Sequence, residues 1–229
     1  MSVLPTRAER RVLIVEDHRL FAEAVDLALT AEGYDVGRID VPADPESPGA
    51  LVAAIVKQQP VVVLLDLDLG RFGDGLRVIG PIARSGANVI VVTGSTDLAR
   101  WGDAVQAGAR KVLSKSQPLQ DILATVRRII AGLPVMDREE REELVSEWTR
   151  MREDLHEVRV RLEQLTNRES VVLGHLMKGR AVRQIAGIST VSEATVRTQV
   201  KSILAKLEVS SQLAAVGMAH EIGWRAPAA

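Results

Sequence analysis

The sequence predicts a protein of two domains, a doubly wound parallel α/β sheet and a small all-α domain, which are joined by a helical linker. Up to Gly132, short apolar runs that end in polar residues alternate with amphipathic segments of helical length. Beyond Leu165 the apolar residues recur only at helical spacing, in short segments separated by turn residues. The length of 229 residues suits one domain of ordinary size and a smaller one.

Four segments of the first domain have the composition of buried parallel strands. Helices are predicted between them at 18–31, 50–58, 75–84, 97–107 and 118–131. The strands RVLIVED, VVVLLDLDLG, NVIVVTG and RKVLSK carry polar residues at their carboxyl ends: Glu16, Asp17, Asp66, Thr93 and Lys115. Because parallel strands present their carboxyl ends at one edge of a sheet, we expect these side chains to converge.

The residue types at this edge indicate phosphoryl chemistry. Three carboxylates placed together repel one another unless a hard cation lies among them, and Mg²⁺ suits carboxylate oxygens. Asp66 could then attack phosphorus as a nucleophile. The Thr93 hydroxyl and the Lys115 ammonium could bind the oxygens of the transferred group.

The order and spacing of these residues resemble the receiver domain of two-component response regulators, a flavodoxin-like fold, over residues 11–132. The resemblance implies that Mg²⁺ is bound by the acidic pair, the acceptor and the backbone carbonyl two residues after the acceptor. By the same resemblance, the residues with these roles are Glu16 and Asp17 (acidic pair), Asp66 (phosphoacceptor), Asp68 (carbonyl ligand), Thr93 (switch hydroxyl) and Lys115 (phosphate-binding lysine).

Two positions depart from the receiver pattern. Gly70 replaces the usual proline four residues after the acceptor, and the glycine-rich loop GRFGDG is predicted to be mobile. Val112 stands where a rotating Tyr or Phe normally responds to phosphorylation. A phosphorylation-independent regulator is therefore an alternative within the same fold.

An enzyme is the remote alternative. A strand followed by Asp-x-Asp, with Thr and Lys at later strand ends, also resembles haloacid-dehalogenase-type phosphatases. That family has Thr or Val where this chain has Gly70, and further carboxylates after the lysine. Here the acidic pair precedes the acceptor, so we predict that the protein is not an enzyme.

The second domain, residues 165–225, begins with three short helical patterns. Thr166 and Glu169 form a capping box that starts the first helix, and Gly179 ends it. The second helix starts near Val182, and Ser192 caps the third. One side of the third helix is apolar, and the other is polar.

That polar side has the residue types that read or neutralise DNA. The segment is locally basic, although the chain carries a formal net charge of −1. The sequences LTNRESVVL and SEATVRTQVKSILAKLEV resemble the LuxR-type helix-turn-helix, with Gln199 in place of the usual His and Ser189 in place of a Leu. We predict DNA contacts from Thr195, Arg197, Thr198, Gln199, Lys201 and Lys206.

The linker, residues 134–164, has no glycine and is predicted to form one long helix. Its apolar residues follow a heptad seam, which predicts a parallel coiled-coil dimer with the pairs Glu147–Arg152 and Asp154–Arg159 across it. The alternative is a single helix that lays this stripe on its own domains. The seam has Trp148, Leu155 and Leu162 at the a positions and Leu144, Met151, Val158 and Leu165 at the d positions.

Taken together, the two resemblances imply a response regulator of the NarL/FixJ type. Its expected partners are a sensor histidine kinase, promoter DNA, RNA polymerase and a second copy, bound through the linker, the final helix at 211–222, or both. The chain has no cysteine and no apolar stretch of membrane-spanning length. We therefore expect a cytoplasmic protein that does not contact membranes.

Overall fold

The computed structural model describes residues 10–39, 41 and 48–226. The chain divides into two compact units, Met1–Thr149 and Arg150–Ala229. Over the described ranges, none of the helices combines the length and the apolar character needed to span a membrane.

The first unit contains a parallel sheet of five strands in the order β2-β1-β3-β4-β5. Val12 of β1 lies opposite Val36 on one side and Val62 on the other, and Val91 of β4 lies opposite Leu65 and Val112. The strands span β1 Arg11–Val15, β2 Asp35–Ile39, β3 Val62–Leu65, β4 Asn88–Thr93 and β5 Lys111–Ser114. The predicted parallel sheet is confirmed.

The edge strand β2 was not among the predicted strands. Its sequence DVGRI is only half-buried and lacks the continuous apolar run of the other four. Gly37 leaves room there for the Leu13 side chain of the neighbouring strand, which would lie 2.6 Å from a Cβ atom.

Helices cover both faces of the sheet, as the alternation of strands and helices predicted. Leu13 and Val15 face a core completed by α2 (Pro48–Lys57), α3 (Leu76–Arg84) and α4 (Leu98–Ala107). The intervening Val12 and Ile14 face the opposite core, which α1 (Arg19–Ala31) and α5 (Leu119–Ile130) complete. Side chains of a strand point alternately to its two faces, so one apolar run supplies both cores.

In the described part of the second unit, four short helices follow the linker and surround one apolar core. Thr166 accepts a hydrogen bond from the Glu169 amide, which confirms the predicted capping box, and Ser192 caps the third helix of this unit. The bounds are α7 Asn167–Met177, α8 Val182–Ser189, α9 Glu193–Leu207 and α10 Gln212–Glu221. Leu173, Ile185 and Ile203 lie fully buried between these helices.

The linker forms the predicted long helix, α6 (Arg138–Glu163). In the first unit its Leu144 is buried in the core beside α4, and Glu140 forms an ion pair with Lys111 of β5 at 2.5 Å. In the second unit Leu162 belongs to the core, together with Leu165 just beyond the helix.

These contacts bury part of the predicted seam within one chain. Leu144, Leu162 and Leu165 of the seam are buried within their own chain, at 5%, 2% and 8% exposure. Met151 and Leu155 stay half-buried between them. The intramolecular alternative therefore accounts for both ends of the apolar stripe, and a linker dimer remains a prediction for its middle.

Gly102 lets α6 approach α4 closely, so we predict opposite effects for alanine at two helical glycines. At Gly102 a Cβ atom would overlap the Leu144 carbonyl oxygen, whereas at Gly187 of α8 it would meet nothing within 4 Å. Gly102→Ala should destabilise the first unit by about 1–3 kcal/mol through overpacking. Gly187→Ala should be neutral or stabilise the second unit by up to about 1 kcal/mol.

Thermal unfolding and amide exchange over residues 138–149 would measure both effects. Gly102→Ala should lower the melting temperature of the first unit and speed exchange in α6. An equal or higher stability of Gly102→Ala would contradict the close helix contact.

Candidate functional site

The predicted side chains at the carboxyl ends of β1, β3 and β5 converge. The Lys115 Nζ atom lies 2.7 Å from Asp66 Oδ2 and 2.7 Å from Glu16 Oε2. Asp66 is 2% exposed, so its carboxylate meets solvent over only a small area. Burial by itself lowers the pKa of Lys115, but its hydrogen bonds to Asp66 and Glu16 outweigh that effect and raise the pKa. Lys115 is therefore held as a cation beside Asp66.

Further carboxylates surround this ion pair. Potential ligand atoms of Glu16, Asp17, His18 and Asp66 all lie within 4.8 Å of one another. The His18 Nδ1 atom lies 3.0 Å from Asp17 Oδ1 and 3.2 Å from Glu16 Oε1. Burial and the charge of Asp66 raise the pKa of Glu16, against the opposing effect of hydrogen bonds from Lys115 and the His18 amide. Carboxylate oxygens in such a cluster suit a hard divalent cation.

Asp68 contributes its backbone rather than its side chain to this edge. Its amide donates a hydrogen bond to Asp66 Oδ1 at 3.1 Å. Its carboxylate lies instead 2.9 Å from the Arg100 guanidinium, away from the acidic cluster. The prediction that the Asp68 carbonyl is a metal ligand stays a prediction.

Thr93, the predicted switch hydroxyl, is fully buried at the end of β4. Its Oγ1 atom accepts a hydrogen bond from the Ser95 amide at 3.1 Å. The Ser95 carbonyl in turn accepts one from the Trp101 indole at 3.0 Å. The turn between β4 and α4 is thus fixed by an aromatic residue of α4 that sequence reasoning missed.

The glycines of the loop after Asp66 permit close approach. Gly70 has φ +54°, and a Cβ atom there would lie 2.6 Å from Asp17 Oδ2. At Gly75 a Cβ atom would overlap the Asp66 carbonyl oxygen. Phe72 anchors the loop in the core at 4% exposure. Because proline fixes φ near −65°, the family's usual proline cannot occupy position 70 in this conformation.

The contacts of Arg100 in α4 were also not predicted from the sequence. Its guanidinium donates to the Leu67 carbonyl at 3.3 Å and to Asp74 Oδ1 at 3.2 Å, in addition to the Asp68 pair. Burial by itself lowers the pKa of Arg100, but the hydrogen bonds to Asp68 and Asp74 outweigh it and raise the pKa. A helix pattern gives no signal for a contact that depends on how a distant loop folds back.

Val112, the position of the missing aromatic residue, is 3% exposed and belongs to the core beneath α4. The aliphatic side chain fills this core and offers no ring that could move between a buried and an exposed position. The replacement of the usual aromatic residue by Val112 therefore changes the packing of this core as well as the sequence.

In the second unit, α9 presents most of the predicted DNA contacts on one open surface. Val196, Val200 and Ile203 face the core. The predicted contacts on the opposite side are exposed, except for half-buried Gln199: Thr195, Arg197, Thr198, Gln199 and Lys201. Arg197 has one acidic neighbour on the same helix, Glu193, at 3.4 Å. This cationic surface suits phosphate and base edges.

Lys206 differs from the other five predicted contacts. Its ammonium lies 2.7 Å from Glu169 Oε2 and donates to the Gln164 carbonyl at 3.1 Å. Glu169 also accepts hydrogen bonds from Ser202 at 2.6 Å and from the Thr166 amide at 2.8 Å. Lys206 thus joins α9 to the start of α7, which is a structural role within its own domain.

Two family comparisons cover both parts of the chain. The response regulator receiver domain family matches residues 12–127, and the luxR family of bacterial regulatory proteins matches residues 163–219. The transcriptional regulatory protein DesR of Bacillus subtilis (strain 168) is 25% identical, over 93% of this chain and 98% of that protein. The nitrate/nitrite response regulator protein NarP of Escherichia coli (strain K12) is 29% identical, over 93% and 95%. A solved structure of the two-component response regulator RcsB–DNA complex has a TM-score of 0.48 at 21% identity, over 93% of this chain and 98% of that one.

The buried Glu169 generates a prediction of pH dependence. Burial by itself raises its pKa, but the hydrogen bonds from Lys206, Ser202 and Thr166 outweigh it and lower the pKa from 4.5 to about 2. The depressed pKa stabilises the second unit fully above pH 4.5, and this stabilisation is lost as the pH falls towards 2. It amounts to at most about 3 kcal/mol.

Urea unfolding followed by amide exchange over residues 167–221, which reports on the second unit alone, would test this. Glu169→Gln should lower the free energy of unfolding of the second unit by about 2 kcal/mol at neutral pH, and the difference from wild type should shrink in acid. Glu163→Gln, an exposed carboxylate nearby, is the matched control and should have little effect. A pH-independent difference for Glu169→Gln would contradict the assignment.

Proposed function

We propose, for a chain that belongs to the response regulator receiver family and carries a LuxR-type DNA-binding domain, that a sensor histidine kinase phosphorylates Asp66 and thereby controls promoter binding. The observation that carries the proposal is the convergence of the Lys115 ammonium, Glu16 and Asp66 within hydrogen-bonding distance. Receiver domains of this family typically use such an acidic edge for phosphoryl transfer.

The residues present fit a Mg²⁺ ion. Glu16, Asp17 and Asp66 would hold it with their carboxylates, and Asp68 with its backbone carbonyl. Bound there, the ion would neutralise the charge that builds up on the phosphoryl oxygens. The acidic cluster, only partly compensated by Lys115, is the observation that supports this cofactor.

The chain's own residues supply the remaining chemistry. An Asp66 oxygen attacks phosphorus of a phosphohistidine, so that a P–O bond forms as the P–N bond breaks. Lys115, already 2.7 Å from Asp66 Oδ2, neutralises charge on the acceptor and then on a phosphoryl oxygen. Thr93 Oγ1 accepts from the Ser95 amide, which leaves its hydroxyl hydrogen free to donate to another phosphoryl oxygen.

A phosphatase reaction has less support. The Asp-x-Asp motif of that reaction would need the Asp68 carboxyl group free to transfer protons beside Asp66, and this carboxylate is instead 2.9 Å from the Arg100 guanidinium. Families with these two domains are DNA-binding transcription regulators, which are generally not enzymes. We therefore infer that the phosphoryl group serves as a signal, and that the protein does not turn over a substrate.

The exposed polar side of α9 is the proposed promoter contact. A single such domain covers about half of a typical site, so we propose that the protein binds DNA as a homodimer. The final helix α10 is the better candidate surface, because Leu213 is 82% exposed while three linker-seam residues are buried within the chain. We expect it to act in the cytoplasm, where promoter DNA and RNA polymerase are present.

Phosphorylation is predicted to occur at one residue. Incubation with acetyl phosphate and Mg²⁺ should add a single phosphoryl group, measured by intact mass, because Asp66 follows the central strand β3 and is oriented by both Lys115 and the Asp68 amide. Asp66→Asn should abolish the addition. Asp68→Asn is the control and should still take up one phosphoryl group, because this side chain lies outside the acidic cluster and an amide oxygen there can still accept from Arg100.

Labelling that survives Asp66→Asn would contradict the acceptor assignment. A wild-type protein that is not labelled, yet binds promoter DNA, would favour the phosphorylation-independent regulator that Val112 and Gly70 suggest.

The DNA prediction distinguishes the exposed cations of α9, Arg197 and Lys201, from Lys206, which is paired with Glu169. Arg197→Ala and Lys201→Ala should each weaken promoter binding and lower the salt dependence by about one unit for each phosphate that is no longer neutralised. Lys206→Ala should mainly destabilise the second unit, because its ammonium is paired with Glu169. Fluorescence anisotropy over a salt series, together with urea unfolding, would measure both. Unchanged affinity and salt dependence in Arg197→Ala and Lys201→Ala would contradict the α9 surface.

A further inference from the structure

Three successive residues of α4 contact three different parts of the first unit. Arg100 reaches the loop after the acceptor, Trp101 reaches the Ser95 carbonyl beside Thr93, and Gly102 lies against the backbone of α6 at Leu144. Successive helical residues point about 100° apart, so these contacts fall on different sides of the helix. A displacement of α4 must therefore alter more than one of them.

Arg100 holds both ends of the loop at residues 67–75. On the side that leaves β3 it contacts the Leu67 carbonyl and the Asp68 carboxylate, at 3.3 and 2.9 Å. On the side that enters α3 it contacts Asp74 Oδ1 at 3.2 Å, and the same oxygen accepts a hydrogen bond at 3.0 Å from the amide of Leu76, the first residue of α3. Asp68 and Asp74 also pair as an antiparallel bridge. The guanidinium closes this loop against α4.

The closed loop orients the acceptor. The Asp68 amide donates to Asp66 Oδ1 at 3.1 Å, while Lys115 binds Oδ2 at 2.7 Å. One oxygen of the acceptor is thus held by the loop and the other by β5. Freeing Asp68 from Arg100 would loosen the first of these contacts and move the backbone carbonyl of Asp68 with it.

We propose that Arg100 is a positioning residue for the acceptor site, which fixes the loop that orients Asp66 and joins that loop to α4. The proposal rests on the proposed function, because its role is defined by phosphoryl transfer to Asp66. It also supplies a route from the acceptor to α4 in a chain whose Val112 cannot provide an aromatic switch. Arg100 does not touch the reacting atoms and acts through Asp68 and the loop.

The test compares full-length variants at two arginines. Arg100→Met removes the charge and all three contacts, and Arg100→Lys keeps the charge without the planar fork that can reach several acceptors at once. Arg71→Met removes an exposed arginine from the same loop and is the matched control. Circular dichroism would establish that each variant is folded.

The first measurement is amide exchange in the metal-free protein over residues 67–75 and 98–107. Loss of the charge-assisted hydrogen bonds of Arg100 should speed exchange in the loop about tenfold in Arg100→Met. Arg100→Lys should fall between Arg100→Met and wild type, and Arg71→Met should match wild type. Equal exchange in Arg100→Met and Arg71→Met would overturn the proposal. If Arg100→Met does not fold, the comparison is made between Arg100→Lys and Arg71→Met, and equal exchange in those two variants would overturn it.

The second measurement is the initial rate of Asp66 labelling by acetyl phosphate over a Mg²⁺ series. Arg100→Met should be labelled several-fold more slowly than wild type and need more Mg²⁺ for half its maximal rate, because Asp66 and the Asp68 carbonyl are less well placed. Arg71→Met should behave as wild type. If wild type is labelled and Arg100→Met is labelled at the same rate, this inference alone is overturned. If wild type is not labelled, the proposed function is overturned.

Discussion

The mutual repulsion of carboxylates at one edge of a parallel sheet is the constraint on which the rest of the first unit depends. Asp66 follows β3 and Glu16 follows β1, and the strand order β2-β1-β3-β4-β5 makes these two strands neighbours. Lys115, which follows β5, reaches across β4 to both carboxylates at 2.7 Å and offsets part of their charge. Folding thus leaves the negative edge incompletely compensated, and this residual charge makes it suited to a cation and a phosphoryl group.

The surroundings of this edge keep it in place from several sides. The loop glycines allow the chain after Asp66 to lie against Asp17 and against the Asp66 backbone, at separations that a side chain would prevent. Arg100 binds that loop to α4, and Trp101 binds the turn that holds Thr93. Gly102 then brings α4 against α6, whose last turns supply Leu162 to the core of the second unit. The contacts from Asp66 to α4 and to Leu144 of α6 lie within the first unit, and we propose that a change at Asp66 acts on the first half of α6 through them.

The sequence predicted the features that depend on local pattern. Asp66, Thr93 and Lys115 were recognised because each polar residue comes at the end of an apolar strand. The starts of α7 and α9 were recognised because a side chain that can cap a helix precedes each apolar stripe. Other features depend on which distant segments meet. The Arg100 contacts require a folded loop, and the pairing of Lys206 with Glu169 joins two helices far apart in sequence. Heptad spacing predicts an apolar stripe on a helix but does not say whether the stripe is buried between two chains or within one. Leu144 is buried within its own chain.

The central claim, that the acceptor site acts on α4 and the linker helix, is tested most directly by amide exchange of the full-length protein with and without acetyl phosphate and Mg²⁺. In wild type, exchange is predicted to change over residues 67–75, the turn after Thr93, α4 and the first half of α6, and no such change should occur in Asp66→Asn. A change confined to the acidic edge, with α4 and α6 unaltered in fully phosphorylated protein, would contradict the account.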